Sequence, residues 1–109
     1  MANTFDDFVN AVIEGTQDLA KAIFNGFENQ AKEDAKAFAN KAKADLKRWT
    51  ELLAEKKLTK QDFVDLVLAK KDLAEIHALT QAGVALAKIE RFRSGLIQLV
   101  IDKAFEIFL

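Results

Sequence analysis

The chain has no cysteine, no proline and no tyrosine, and it contains a single histidine and a single serine. Without cysteine it can form neither a disulfide nor a thiolate metal site. His77 and Ser94 lie seventeen residues apart, which on one helix would separate them by about 100° around the axis. That is a poor geometry for a nucleophile and its base. The four glycines stand singly, which excludes a glycine-rich phosphate loop.

Carboxylates are plentiful, but their spacing does not indicate a reactive site. We interpret the pair Asp6-Asp7 as charge at a helix start and the pair Glu33-Asp34 as part of a solvated helix face. Glu75 and His77 are two residues apart, so on a helix they would point in different directions and could not share a metal. We therefore predict no enzyme activity and no catalytic, cofactor-binding or metal-binding residues.

The chain also lacks a long apolar run. Its most apolar stretch, residues 95–109, is interrupted by charged residues and is shorter than the about 20 residues that a membrane-spanning helix needs. The first residues lack the basic and apolar regions of a signal peptide. We predict no transmembrane segment and a cytoplasmic location.

The absence of proline favours long helices, because an interior proline costs a helix ~3 kcal/mol. Between two helix-compatible stretches lies one convincing turn, residues 56–60. Thr59 followed by Asp62 resembles a capping box, which marks a helix start. We predict a single all-helical domain over residues 1–109, with a first arm at 4–55 and a second arm at 60–109.

Folding the second arm back on the first pairs positions whose residue numbers sum to about 115. An alanine-rich stretch then faces a stretch rich in small residues, and the Phe-rich start faces the Phe-rich end. The prediction is an all-α protein built as a long antiparallel two-helix hairpin, with arms of about 75 Å and a kink or no break at Gly26. The alternative is a compact four-helix bundle with breaks at Gly26 and Gly83.

Apolar residues cover more of the two chain ends than a single helix pair can bury. We therefore expect the hairpin to self-associate into a helical bundle, as a dimer or a higher homo-oligomer. The predicted interface residues are Phe5, Phe8, Val12, Phe24, Phe27, Phe92, Leu96, Val100, Phe105 and Phe108.

Charge is balanced overall, at a net −1, but it is unevenly spread. Residues 1–27 carry one lysine against four carboxylates, and residues 28–60 carry nine basic residues against six acidic ones. The basic residues near the turn are Lys41, Lys43, Lys47, Arg48, Lys56, Lys57 and Lys60. Acidic residues interrupt them, so we expect no nucleic-acid binding, and we interpret Trp49 as a core residue rather than a surface on which bases stack.

Helical spacing also predicts several ion pairs. The pairs on the outer face of the first arm are Glu28–Lys32, Glu33–Lys36 and Asp45–Arg48. Arg91 and Arg93 are expected to pair across the hairpin with one of the N-terminal carboxylates Asp6, Asp7, Glu14 and Asp18.

Together these features predict a non-enzymatic helical scaffold or interaction protein that self-associates through its Phe-rich N- and C-terminal end. Another helical protein is a further candidate partner. The alternative function is binding to a lipid or membrane surface through the same residues, because Phe-rich faces on lysine-bearing helices are typical of interfacial helices.

Overall fold

The computed structural model describes residues 4–109 and is helical, with no strand in that range. The helices are α1 (Thr4–Phe24), α2 (Glu28–Ala54), α3 (Lys60–Leu68), α4 (His77–Gln81) and α5 (Leu86–Phe108), with one 3₁₀ turn at Lys71–Leu73 between α3 and α4. The all-α prediction is confirmed. The molecule measures 42 × 29 × 21 Å along its principal axes, so arms of about 75 Å are excluded.

The first arm is not continuous, and the prediction of an unbroken or merely kinked helix over 4–55 is wrong. α1 ends at Phe24, and α2 begins at Glu28. The three residues between them all have positive φ, 55° at Asn25, 154° at Gly26 and 62° at Phe27. Because this left-handed region is incompatible with a right-handed helix, the chain turns here, and α2 packs along α1.

The turn before α3 agrees with the sequence. The hydroxyl of Thr59 accepts a hydrogen bond from the Asp62 amide at 3.0 Å, and the Thr59 amide donates to the Asp62 carboxylate at 3.4 Å. This confirms the capping box predicted from residues 59–62.

The second arm is interrupted twice, so a single helix over 60–109 is also wrong. The chain leaves helical geometry at 74–76, and again around Gly83, where φ is 85°. The break expected at Gly83 in the bundle alternative is present. However, the bundle alternative requires one continuous helix between the turn at 56–60 and Gly83, whereas the structure has α3 of nine residues and α4 of five there.

Contacts between the two halves of the chain nevertheless follow the register that the sequence suggests. The rings of Phe8 and Phe108 lie 5.7 Å apart, and those of Phe24 and Phe92 lie 5.8 Å apart. The ion pairs Lys41–Glu75 and Asp45–Lys70 both measure 2.9 Å. In all four pairs the residue numbers sum to 115 or 116, which is close to the expected 115.

α1 lies between α2 and α5 and contacts both. The largest fully buried rings are Phe8, Phe38, Phe63 and Phe92, contributed by α1, α2, α3 and α5. Each long helix therefore buries one apolar face in a shared core. None of the helices within residues 4–109 combines the length and the apolar character needed to cross a membrane.

Candidate functional site

Two glycines bring α1 and α5 close together. A methyl group added at Gly15 would lie 2.9 Å from Leu99 Cδ2, and one added at Gly95 would lie 2.8 Å from Leu19 Cδ1. Each helix thus places a leucine over a glycine of the other. Both distances are shorter than carbon–carbon contact, so only glycine fits at these two positions without movement of the facing leucine.

A groove opens beside this contact, between the C-terminal half of α1 and the first half of α5. It has a volume of about 530 Å³ and is lined by Leu19, Ala22, Ile23, Glu90, Arg91 and Ser94. We call it the α1–α5 groove. The α1 wall is entirely apolar, whereas the α5 wall offers a carboxylate, a guanidinium and a hydroxyl. Exposed apolar surface rimmed by polar residues is typical of protein or membrane contact sites and of ligand-binding grooves.

Phe27, in the turn between α1 and α2, is an aromatic residue that the fold leaves exposed. Its ring meets Phe24 at 6.2 Å in an edge-on contact, and Phe24 in turn packs on Phe92. The side chain is nonetheless 41% exposed, and its φ of 62° is unusual for a bulky residue. Such a conformation costs roughly 1–3 kcal/mol and occurs preferentially at functional positions.

Arg93 contacts its own helix, α5, and the segment before α4 instead of the N-terminal carboxylates with which it was expected to pair. Its Nε donates to the Ala74 carbonyl at 2.8 Å, and its Nη1 is paired with Glu90 one turn earlier. The prediction that Arg93 pairs with the acidic N-terminal stretch is therefore wrong, because the break at 74–76 presents a free carbonyl to it. Arg91 lies on the groove wall and is exposed.

The ten predicted interface residues fall into two groups. Phe5, Phe8, Val12, Phe24, Phe92, Leu96 and Val100 are buried in the core of the single chain. Phe105 and Phe108 are half-buried and contact the rings of Phe63 and Phe8, and Phe27 is exposed. Folding the chain at Gly26 and Gly83 gives the first group an intramolecular partner, which removes the original reason for assigning those seven to an interface.

The interpretation of Glu33-Asp34 as part of a solvated helix face is wrong for Asp34, which is buried. Its side chain is only 3% exposed. The two carboxylate oxygens accept hydrogen bonds from the amides of Ala78 at 2.9 Å and Leu79 at 3.0 Å. Asp34 therefore caps the first turn of α4 from a different helix, and its charge is satisfied there by backbone donors.

Glu75 and His77 meet, contrary to the expectation from helical spacing. Residues 74–76 are not helical, and the Glu75 carboxylate lies 2.9 Å from both Lys41 Nζ and His77 Nε2. The hydrogen bond from Lys41, reinforced by His77, lowers the pKa of Glu75 from its ordinary 4.5. His77 is largely exposed, and within residues 4–109 no group of three histidine or carboxylate side chains could hold a metal ion.

The basic residues near the turn are partly neutralised. Lys41, Arg48 and Lys57 each pair with a carboxylate. Trp49 is buried, as predicted, and Lys70 Nζ lies 5.9 Å above its ring. Of the ion pairs predicted on the first arm, Asp45–Arg48 forms at 3.9 Å. In the described part of the chain, Glu28–Lys32 and Glu33–Lys36 do not come within bonding distance.

Sequence patterns alone did not identify the lining of the α1–α5 groove as a contact site. Gly15 and Gly95 stand singly in the sequence, and an isolated glycine inside a strong helical pattern can have a packing reason. That signal, at two positions in facing helices, could have located the α1–α5 contact.

No family model matches this chain, and neither the curated proteins nor the solved structures include a match to it.

Proposed function

We propose that this protein is a non-enzymatic helical interaction protein that self-associates, and that its contact surface is the α1–α5 groove together with Phe27. Two observations support this proposal: the open apolar groove of about 530 Å³ and the aromatic ring of Phe27, which the fold leaves 41% exposed. Large aromatic side chains beside apolar clefts contribute disproportionately to the affinity of protein interfaces.

The backbone at Phe27 supports the same conclusion. Glycine or asparagine would adopt its φ of 62° with less strain. A phenylalanine at this position is both strained and incompletely buried, so folding alone does not account for it. An intermolecular contact would give the ring the burial that it lacks in the monomer.

A lipid surface is less well supported as the occupant. The exposed carboxylates Glu14 and Asp18 lie on α1 close to the groove, and anionic lipid would repel them. A second protein surface tolerates such charges, because it can supply cations of its own.

The test is the solution mass of the chain, measured by light scattering on a sizing column in the absence of detergent. We expect a discrete multiple of the monomer mass of 12.2 kDa. The double variant Phe27→Asn with Ala22→Arg removes the exposed ring and places a charged side chain at the groove wall. Both sites are exposed, so the variant should retain its helicity but run as a monomer.

The matched control is Ala69→Arg, an exposed position at the end of α3 outside the groove, which should leave the assembly unchanged. A native chain that is monomeric at all concentrations would overturn the proposal. So would a double variant that associates as the native chain does. A mass that becomes discrete only on addition of phospholipid vesicles would replace self-association with the lipid-surface function.

A further inference from the structure

α1 presents a row of carboxylates to solvent. Asp7, Glu14 and Asp18 are exposed, and the carboxylate of none of them makes a hydrogen bond or an ion pair with another residue of the range 4–109. Spacings of seven and four residues keep the three within about 40° of arc on the helix. They therefore form one acidic stripe on the face of α1 that neither α2 nor α5 covers.

α2 presents a row of lysines with the same spacing. Lys36, Lys43 and Lys47 are exposed and separated by seven and four residues, and their ammonium groups have no hydrogen-bonding or ion-pair partner within residues 4–109. The half-exposed Lys32 continues this basic stripe by one turn toward the start of α2. In both stripes the charges are about 10 Å and then about 6 Å apart along the helix axis.

The acidic stripe and the α1–α5 groove lie side by side. Ala22, on the groove wall, follows Asp18 by four residues and so neighbours it on the surface of α1. A helix is about 10 Å wide with its side chains. One laid along the outer face of α1 would therefore contact the stripe and reach the edge of the groove.

We propose that the partner docked on α1 is α2 of a second copy of this chain, with the basic stripe of one molecule facing the acidic stripe of the next. This inference rests on the proposed self-association and names the surface that takes part in it. The matched residues are Asp7, Glu14 and Asp18 on one copy and Lys36, Lys43 and Lys47 on the other.

A second copy is favoured over a nucleic acid or an anionic lipid by charge complementarity. The molecule as a whole carries a net charge of −1, so it has no long-range attraction for a polyanion. Its own α1 offers negative charge at the spacing of the lysines. Exposed ion pairs contribute little affinity individually, so the stripes select the partner and its orientation, whereas the groove and Phe27 supply apolar contact.

The two stripes are different surfaces, so every molecule has both a donor and an acceptor face. Such a contact is heterologous. The discrete mass expected in solution therefore requires that the assembly close, either as a ring or as a dimer whose two-fold axis lets both contacts form at once. The contact also weakens with salt, because the screening length falls from about 10 Å at 0.1 M to about 3 Å at 1 M ionic strength.

The experiment is a charge swap read out by light scattering at low ionic strength. One variant reverses the basic stripe (Lys36→Glu, Lys43→Glu and Lys47→Glu), and the other reverses the acidic stripe (Asp7→Lys, Glu14→Lys and Asp18→Lys). Each alone should fall to the monomer mass of 12.2 kDa, and an equimolar mixture of the two should regain a multiple of it. The dissociation constant of the native assembly should rise as salt is raised, because the charge contribution is screened.

The matched control replaces three exposed lysines at the turn (Lys56→Glu, Lys57→Glu and Lys60→Glu). It changes the net charge by the same amount as reversal of the basic stripe and should leave the assembly intact. If Asp7→Lys unfolds the first turn of α1, as circular dichroism would reveal, the pair Glu14→Lys with Asp18→Lys replaces the triple variant. Variants that stay associated, or a mixture that stays monomeric, would overturn this inference alone. A native chain that is monomeric at low salt would overturn the proposed function as well.

Discussion

Asp34 shows how one residue joins distant parts of the chain. α4 has only five residues, too few to be stable as an isolated helix. Its N-cap residue, Ile76, provides no side-chain hydrogen bond. The amides of Ala78 and Leu79 are instead satisfied by the carboxylate of Asp34, which lies on α2. The position of α4 therefore depends on a charge forty-four residues away in the sequence.

At this scale we predict that Asp34→Ala lowers the free energy of unfolding by about 2–3 kcal/mol. The change removes two charge-assisted hydrogen bonds and leaves two amides without acceptors. Urea denaturation followed by circular dichroism measures the effect. The neighbouring exposed residue is the control, since Glu33→Ala should change stability by no more than about 0.5 kcal/mol. Equal losses in the two variants would contradict the capping role.

The contact between α1 and α5 depends on pairs of residues in two elements. Leu19 occupies the space over Gly95, and Leu99 occupies the space over Gly15. In an isolated helix each glycine would cost about 1 kcal/mol relative to alanine. Here the close approach of the helices offsets that cost, because it lets the leucines of both elements pack against the facing backbone.

At the element scale we predict that Gly95→Ala and Leu19→Ala are coupled. In the native chain the added methyl group meets Leu19, whereas in the Leu19→Ala background it has room. Gly95→Ala should therefore be more favourable in that background by about 0.5–3 kcal/mol. A double-mutant cycle in urea measures this coupling. Combining Gly95→Ala with Leu68→Ala, an exposed leucine on α3, should give additive effects, and additivity in both cycles would refute the contact.

Across the whole molecule, two carboxylates join α2 to the segment that follows α3. The hydrogen bond from Lys70 lowers the pKa of Asp45 from its ordinary 3.8, despite the opposing effect of desolvation. Lys41 and then His77 lower the pKa of Glu75 from 4.5. A carboxyl whose pKa is lower in the folded state stabilises the fold above its unfolded pKa. That contribution is lost as the pH falls through the folded value.

We therefore predict that the double variant Asp45→Asn with Glu75→Gln is less stable than the native chain at pH 7. The difference should shrink as the pH falls below the ordinary carboxyl values of 3.8 and 4.5. It should vanish once the pH has fallen through the lower folded values, because the native carboxylates are then protonated. Urea denaturation between pH 7 and pH 2.5 tests this. Glu51→Gln is the control, as Glu51 is exposed and forms no ion pair within the described residues. A difference in the free energy of unfolding between the native chain and the double variant that stays constant with pH would contradict this prediction.

Several features of the fold could be predicted because they depend on local sequence patterns or on the position of a single turn. The helical class follows from apolar spacing without proline. The start of α3 follows from Thr59 and Asp62, whose side chains and amides are three residues apart. The pairing of Phe8 with Phe108 and of Phe24 with Phe92 follows from folding the chain about that same turn.

Only the tertiary structure decided where the helices break and which charges are buried. A single glycine such as Gly26 changes helix stability by about 1 kcal/mol, which is less than the core gains when α1 and α2 pack together. Local sequence therefore cannot settle whether the helix continues there. In the sequence Asp34 is indistinguishable from a surface carboxylate. Only the break at 74–76 places two free amides within hydrogen-bonding distance of its side chain. The α1–α5 groove arises from two helices that lie some seventy residues apart in the sequence, so no local pattern could define its shape.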